Sequence, residues 1–234
     1  MNDNNPPQRN SKTAGGSRPG VALADVIAEG FRRLRADGPG DEGERAGEEW
    51  RALELWCRET GFWLLEDAGP EREGGREHDV RFEPELRRWI KFTKPWMAGY
   101  AVDLEAEPLL LPATPLQYFL RMEAQNHLFG DDVRFMGLWP DKAGLRIVVS
   151  QPDWIGEAPT FEDIETSLNE QGYRRINLPP LGNYEAHSYL GDGVALFDVH
   201  PRNCIVQSSG LLIPFDCIAV VLTDDELMRL SARS

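Results

Sequence analysis

Between Ser188 and Asp216 the chain reads "SYLGDGVALFDVHPRNCIVQSSGLLIPFD". Its apolar runs are too short for helices, and each is bounded by Gly, Pro, Asp, Asn or Ser. The stretch must therefore form short strands joined by tight turns. Asp192-Gly193 is a hairpin turn signal, so Ser188–Asp198 reads as one hairpin and Asn203–Asp216 as a second. Asp198, Asn203 and Asp216 then sit at strand ends or in the loops between them. The two carboxylates flank a short hairpin, which brings them close together. Asp and Asn are common in turns because their side chains bond nearby backbone. Asp216, however, comes directly after the apolar "LLIPF", and a charge beside a core needs a partner.

The rest of the chain mixes helices and strands. Residues 1–20 are polar and rich in Asn, Pro, Gly and Ser, a composition that reads as a disordered tail. Leu23, Val26, Ile27, Phe31 and Leu34 recur at helical spacing. "ADGPGDEGERAG" reads as a linker, and a second helix is expected from about Glu48 to Thr60. From Phe62 the pattern turns strand-like. "HDVRFEPELRRWIKFT" reads as two strands around a turn near Glu83–Leu86, and the prolines of 108–115 interrupt the strand pattern. "TPLQYFLRMEAQNHLFG" is the clearest helix: Thr114 is its N-cap, Pro115 its first residue, Gln117 completes a capping box and Gly130 ends it. "VRFMGLW" and "LRIVVSQP" are strands around a turn. Thr160–Gln171 is a helix, and a strand "IAVVL" and a short helix come after Asp216. Such an order implies an α+β fold.

Phosphoryl transfer requires a carboxylate to orient or deprotonate the acceptor hydroxyl, and oxygen donors to hold magnesium against the phosphates. "DVHPRN" and the later "PFD" together resemble the catalytic loop and metal-binding Asp of the protein-kinase-like fold, with the D-x-H-P-x-N form of aminoglycoside and choline kinases. The arrangement from about Phe62 to Leu222 looks most like the compact kinase domains of phage and mobile-element polyvalent proteins. The resemblance implies a small two-lobed fold: helices and linker over 21–60, then a kinase-like domain over 61–234. Its N-terminal lobe would span about 61–150 and a truncated C-terminal lobe about 151–234. It implies an ATP- and Mg-dependent phosphotransferase acting on a protein or small-molecule hydroxyl. Asp198 would be the catalytic base, and Asn203 and Asp216 would bind metal. Lys91, in "RWIKFT", would contact the nucleotide phosphates.

By strand alternation Lys91 shares a face with Trp89 and Thr93, opposite Ile90 and Phe92. On the next helix, a step of 100° per residue puts Leu116, Phe119 and Leu120 on one stripe with Glu123 in its middle. A carboxylate there needs a partner, and the order of elements supplies Lys91, with Lys94 as rival. "GPEREGGRE" occupies the place of the phosphate-covering loop, so Gly74 and Gly75 would approach the nucleotide, although the loop lacks G-x-G-x-x-G. Leu196 stands where the kinase loop has His. Cys217–Ile218 replaces Phe-Gly after Asp216, and Trp89 stands where kinases usually carry a small residue under the adenine. These departures favour an alternative, a non-catalytic kinase-like binding module.

Composition bounds the partners. The 234 residues carry a formal net charge of −14, which argues against nucleic acid or an anionic membrane as a partner. Cys57, Cys204 and Cys217 have no metal-ligand or redox spacing and read as reduced thiols. No apolar run approaches a membrane span and the N-terminus lacks a signal-peptide segment, so a soluble cytoplasmic protein is expected.

Overall fold

The computed structural model describes residues 20–32, 34, 42–64, 69–72, 74–105, 108–181 and 185–233; the tail expected over 1–20 lies outside them except for Gly20. In chain order the elements are β1 (Val21–Ala22), α1 (Leu23–Asp25), a π-helical turn (Val26–Gly30), α2 (Glu42–Thr60), β2 (His78–Glu83), β3 (Arg88–Thr93), β4 (Tyr100–Asp103) and β5 (Leu109–Pro112). Next come α3 (Pro115–Phe129), β6 (Arg134–Asp141), β7 (Gly144–Pro152), α4 (Phe161–Glu170), β8 (Arg174–Ile176), β9 (His187–Leu190) and β10 (Val194–Val199). A 3-10 turn (Pro201–Asn203), β11 (Cys204–Val206), β12 (Leu212–Pro214), β13 (Ile218–Val221) and α5 (Asp224–Ser231) complete the described chain. The fold is α+β, and its named strands pair antiparallel throughout.

The first sheet has the order β1-β6-β7-β3-β2. Strand β3 places Lys91 between Val80 on β2 and Val149 on β7. Ile90 and Phe92 point to the opposite face, where they pack with Val148. The Lys91 face is covered by α3, α2 and the N-terminal segment: Leu23, Val26, Trp50, Leu53, Tyr118, Phe119 and Phe135 are all buried in one cluster. Phe119 and Phe135 meet edge-on at 5.4 Å. Burying each such side chain is worth about 1.5–3 kcal/mol, so the segments before residue 61 are part of this core.

α3 starts where its sequence requires. Thr114 accepts from Gln117 N, and the Gln117 side chain accepts from Thr114 N. Gly130 ends the helix in the left-handed conformation, at φ 65°. Glu49, fully buried on α2, adds a second anchor by accepting from Leu116 N at 2.8 Å. A carboxylate on free N–H groups at a helix start is favoured by the helix dipole, and this one fixes α3 against α2.

The second sheet, β13-β10-β9-β8, is buried on both faces. Leu196, Val199 and Tyr189 pack under α4, while Ala195, Phe197 and Ile218 pack with Leu190 and Leu230. Two small ribbons, β4–β5 and β11–β12, complete the fold.

Some elements differ from the sequence reading. Val21–Leu34 is not one helix: Val21 and Ala22 pair with Phe135 and Arg134 as an edge strand, and only a short helical stretch comes after them. α2 begins at Glu42, inside the expected linker, although Gly43 and Gly47 each cost about 1 kcal/mol relative to Ala; the buried Glu49, Trp50 and Leu53 further along anchor the helix. The proline-flanked 108–115 region, read as an interruption, closes the hairpin β4–β5, with Pro112 in an edge position where its missing N–H does no harm.

Candidate functional site

Asp198 lies on β10 and Asp216 two residues before the neighbouring strand β13. β10 and β13 pair with Phe197 opposite Ile218, so Asp198 at the end of β10 faces the start of β13, just after Asp216. Asp198 takes a left-handed backbone, φ 55°, where the ladder with β9 loses register between Leu196 and Val199. Asp tolerates that region better than most residues, yet it costs of order 1–3 kcal/mol. The kink makes a bulge in β10, which pairs with β9 again at Val199 opposite His187, and Asn203 Nδ2 secures it by donating to Asp198 O at 2.9 Å.

Asn203 ties the two segments together. Its Nδ2 also approaches Asp198 Oδ2 at 3.4 Å and Asp216 O at 3.3 Å, and its own carbonyl accepts from Phe215 N at 2.9 Å. The amide NH2 makes all three side-chain bonds, which leaves Oδ1 as the group available to a cation. His200 is buried and caps the 3-10 turn by accepting from Arg202 N at 3.2 Å. Asp216 does not open a long loop. Cys217 is buried and Ile218 enters β13 directly.

The backbone of Phe215 is clamped from the other side. Gln125 on α3 and Gln151 on β7 both donate to Phe215 O at 2.6 Å, and both also donate to Asp131. Trp154 Nε1 donates to the other Asp131 oxygen at 3.0 Å. Asp131 is 1% exposed. Its burial pushes its pKa up in spite of these three donors, because none of them is charged.

Lys91 reaches across from the first sheet, with Nζ 3.1 Å from Asp216 Oδ1. Burial opposes ionisation of Asp216, but the Lys91 ammonium, helped by His78 and Arg121, holds its pKa below the usual carboxylate range. Lys91 therefore pairs with Asp216 and not with Glu123. The core side of α3 is turned away from the expected stripe: Tyr118, Phe119 and Met122 are buried, Leu120 is 51% exposed, and Glu123 lies at the half-buried edge. The charged residue that α3 buries is Arg121, whose NH1 and NH2 grip Glu77 Oε1 and Oε2 at 2.6 and 2.9 Å. Arg121 NH1 also donates to Tyr100 O at 2.8 Å, and Glu77 Oε1 accepts from Tyr100 N at 2.9 Å. One buried ion pair thus fixes α3, the start of β2 and the hairpin β4–β5 together. Lys94, the rival partner, binds Asp79, as does Arg146.

His78 adjoins this pair. Its Nε2 is 2.9 Å from the Tyr118 hydroxyl, and Nδ1 lies 3.8 Å from Glu77 Oε2. Burial lowers its pKa to about 4, so it is neutral at pH 7. Sequence patterning does not single out Arg121, Glu77 or His78. The only hint is a long polar residue within the clearest helix.

Lys91, Asp198, Asn203 and Asp216 open onto one cleft of about 490 Å3, together with Arg76, Glu77, His78 and Arg202. Gly75 lines it and is exposed, whereas Gly74 does not; Gly74 N donates to Asp79 Oδ1 at 3.1 Å, and a methyl there would overlap the His78 carbonyl. Gly74 is therefore required by backbone packing, and Gly75 is the loop residue that reaches the cleft. The three cysteines are buried free thiols. No helix among the described residues is long and apolar enough to cross a membrane. No family model, curated protein or solved structure matches this chain.

Proposed function

We propose that this chain is an ATP- and Mg-dependent phosphotransferase with a small kinase-like fold of two lobes, the second reduced. The observation that carries the reading is the meeting of Lys91 with Asp198, Asn203 and Asp216 in one cleft, although Lys91 lies more than a hundred residues earlier in the chain. The order of elements supports it: a central strand with Lys91, then α3, then β6 and β7, then the Asp198–Asn203 loop and a hairpin ending at Asp216. Coincidental turn residues would have no reason to find that lysine.

The donor set suits magnesium, a hard cation that prefers oxygen. The Asp216 carboxylate and Asn203 Oδ1 are the groups that would hold it, and bound there it would neutralise phosphate charge. Asp198, at the left-handed kink of β10, orients the acceptor hydroxyl and takes its proton. Lys91, which pairs with Asp216, carries the positive charge for the phosphates. Arg76 and Arg202 add positive charge to the cleft of an otherwise acidic protein. The chemistry rests on positioning and charge stabilisation.

A second reading, a kinase-like binding module without catalysis, is favoured by one observation: Phe82 and Trp89 pack together at 4.9 Å on the Lys91 face, and Trp89 Nε1 is bonded to Asp153 at 3.0 Å. Mg-dependent ATP binding and turnover separate the two. As an enzyme, Asp198→Ala keeps binding and loses turnover, while Asp216→Ala loses metal-dependent binding. A wild type that binds Mg-ATP with no transfer to any hydroxyl or water supports the module.

A further inference from the structure

The cleft has a mixed lining. Beside Lys91, Asp198, Asn203 and Asp216 it is lined by Val80, Tyr100, Leu110 and Ile218, the apolar part of its wall. Tyr100 and Leu110 come from the ribbon β4–β5, which lies between β3 and α3 in the chain. Tyr100, Val102 and Leu110 all pack toward the cluster around Ile218, while Ala101 turns to the other core. This face packs on the core, and its Tyr100 and Leu110 also line the cleft.

That face is held rigidly. Arg121 donates to Tyr100 O and Glu77 accepts from Tyr100 N, so both polar backbone groups of Tyr100 are fixed by a buried ion pair. A bidentate buried pair of this kind is costly to assemble and sharply geometric. Its placement makes sense if the position of Tyr100 matters.

Beyond Lys91 the next residue on that face of β3 is Trp89, packed on Phe82 and bonded to Asp153. Neither ring lines the cleft, and no residue of 151–155 lines it either.

We propose, resting on the phosphotransferase reading, that the nucleobase of the bound nucleotide lies against Tyr100 and Leu110 of the β4–β5 ribbon rather than against Trp89 and the 151–155 segment. Tyr100 offers a ring for stacking, Val80, Leu110 and Ile218 offer apolar contact, and the phosphates extend from there to Lys91 and Asp216. A planar heterocycle joined to a polyanion matches apolar side chains beside the cations Lys91, Arg76 and Arg202. The ribbon is thus the element that makes the site selective for a nucleotide over a bare polyphosphate.

The test compares Mg-ATP with Mg-tripolyphosphate by titration calorimetry on the full chain, for the wild type, Tyr100→Ala, Leu110→Ser and Trp89→Phe, each checked for an intact melting transition. In parallel, NMR seeks magnetisation transfer between adenine protons and the Leu110 methyls or the Trp89 indole in wild-type protein, which keeps the test independent of any variant that misfolds. The expected result is that wild type prefers ATP, that Tyr100→Ala and Leu110→Ser each lose about tenfold in ATP affinity with tripolyphosphate unchanged, and that adenine contacts Leu110. If tripolyphosphate binds as tightly as ATP, or if the adenine contacts and the loss fall on Trp89, the placement is wrong while the phosphate site stands. If neither ligand binds with any divalent metal, the phosphotransferase reading fails and takes the placement with it.

Discussion

Replacing Arg121 with Ala removes a buried cation and leaves the Glu77 carboxylate in a site built for an ion pair. Three bonds are lost, at 2.6, 2.8 and 2.9 Å. Arg121 is 4% exposed and Glu77 16% at the side chain, so water does little to screen the pair. Breaking such a pair by removing one partner costs about 3–5 kcal/mol. For a chain of this size that corresponds to a fall in Tm of about 6–20 °C. The pH dependence fixes the mechanism. In the wild type burial raises the pKa of Glu77 but Arg121 outweighs it, so the net shift is downward. A depressed pKa contributes stability above the unfolded value that is lost as pH falls through the folded one. Without Arg121 the burial and the nearby Asp216 charge are opposed chiefly by His78, the shift reverses, and the variant recovers relative to wild type as pH drops and Glu77 takes up a proton. Thermal melts at pH 7 and pH 5 measure both effects. The double variant Arg121→Ala/Glu77→Ala should melt above the single one, because it no longer buries a lone charge. A single variant within about 1 kcal/mol of wild type, or a double variant no better than the single, would refute the ion-pair account.

Other predictions concern the same site. His78 has a pKa of about 4, so the unfolded chain binds its proton more readily and stability should fall as pH drops from about 6.5 toward 4; a His78 ring resonance titrating near the unperturbed value of about 6.5 by NMR would contradict this. Gly74→Ala should destabilise by about 1–3 kcal/mol, since the rigid His78 carbonyl blocks a methyl group, whereas Gly75→Ala, with open space around it, should stay within about 0.5 kcal/mol. Gln151→Leu should loosen the Phe215 clamp and weaken magnesium binding at Asp216, with amide exchange at 215–217 rising; unchanged exchange there would remove the clamp's proposed role.

How much of this is legible in the sequence depends on whether a residue's partner is local. The Thr114–Gln117 capping box, the Arg88–Thr93 strand and the hairpin after Leu190 all use signals within a few residues, and the structure has them where those signals place them. The face of Lys91 comes from simple alternation. The face of α3 does not. Counting apolar residues chooses Leu120 and Glu123, but Tyr118 and Arg121 are buried instead, because His78 and Glu77 supply them with partners some forty residues away. Hydrophobicity treats such residues as surface and cannot see a satisfied polar group. The β4–β5 ribbon escapes sequence reading for a related reason: prolines at 108–115 look like a break unless the pairing edge is known. The Asp131–Gln125–Gln151 junction joins three separate parts of the chain, and no spacing rule points to it.

Lys91, Asp198, Asn203 and Asp216 are proposed to form a magnesium–nucleotide site. Titration calorimetry of ATP into wild-type protein and Asp216→Ala, with and without magnesium, tests it most directly. The account predicts binding by wild type that strengthens with magnesium, and loss of that magnesium dependence in Asp216→Ala. Wild-type protein that binds no ATP, or that binds it equally with and without every divalent metal tried, would contradict it.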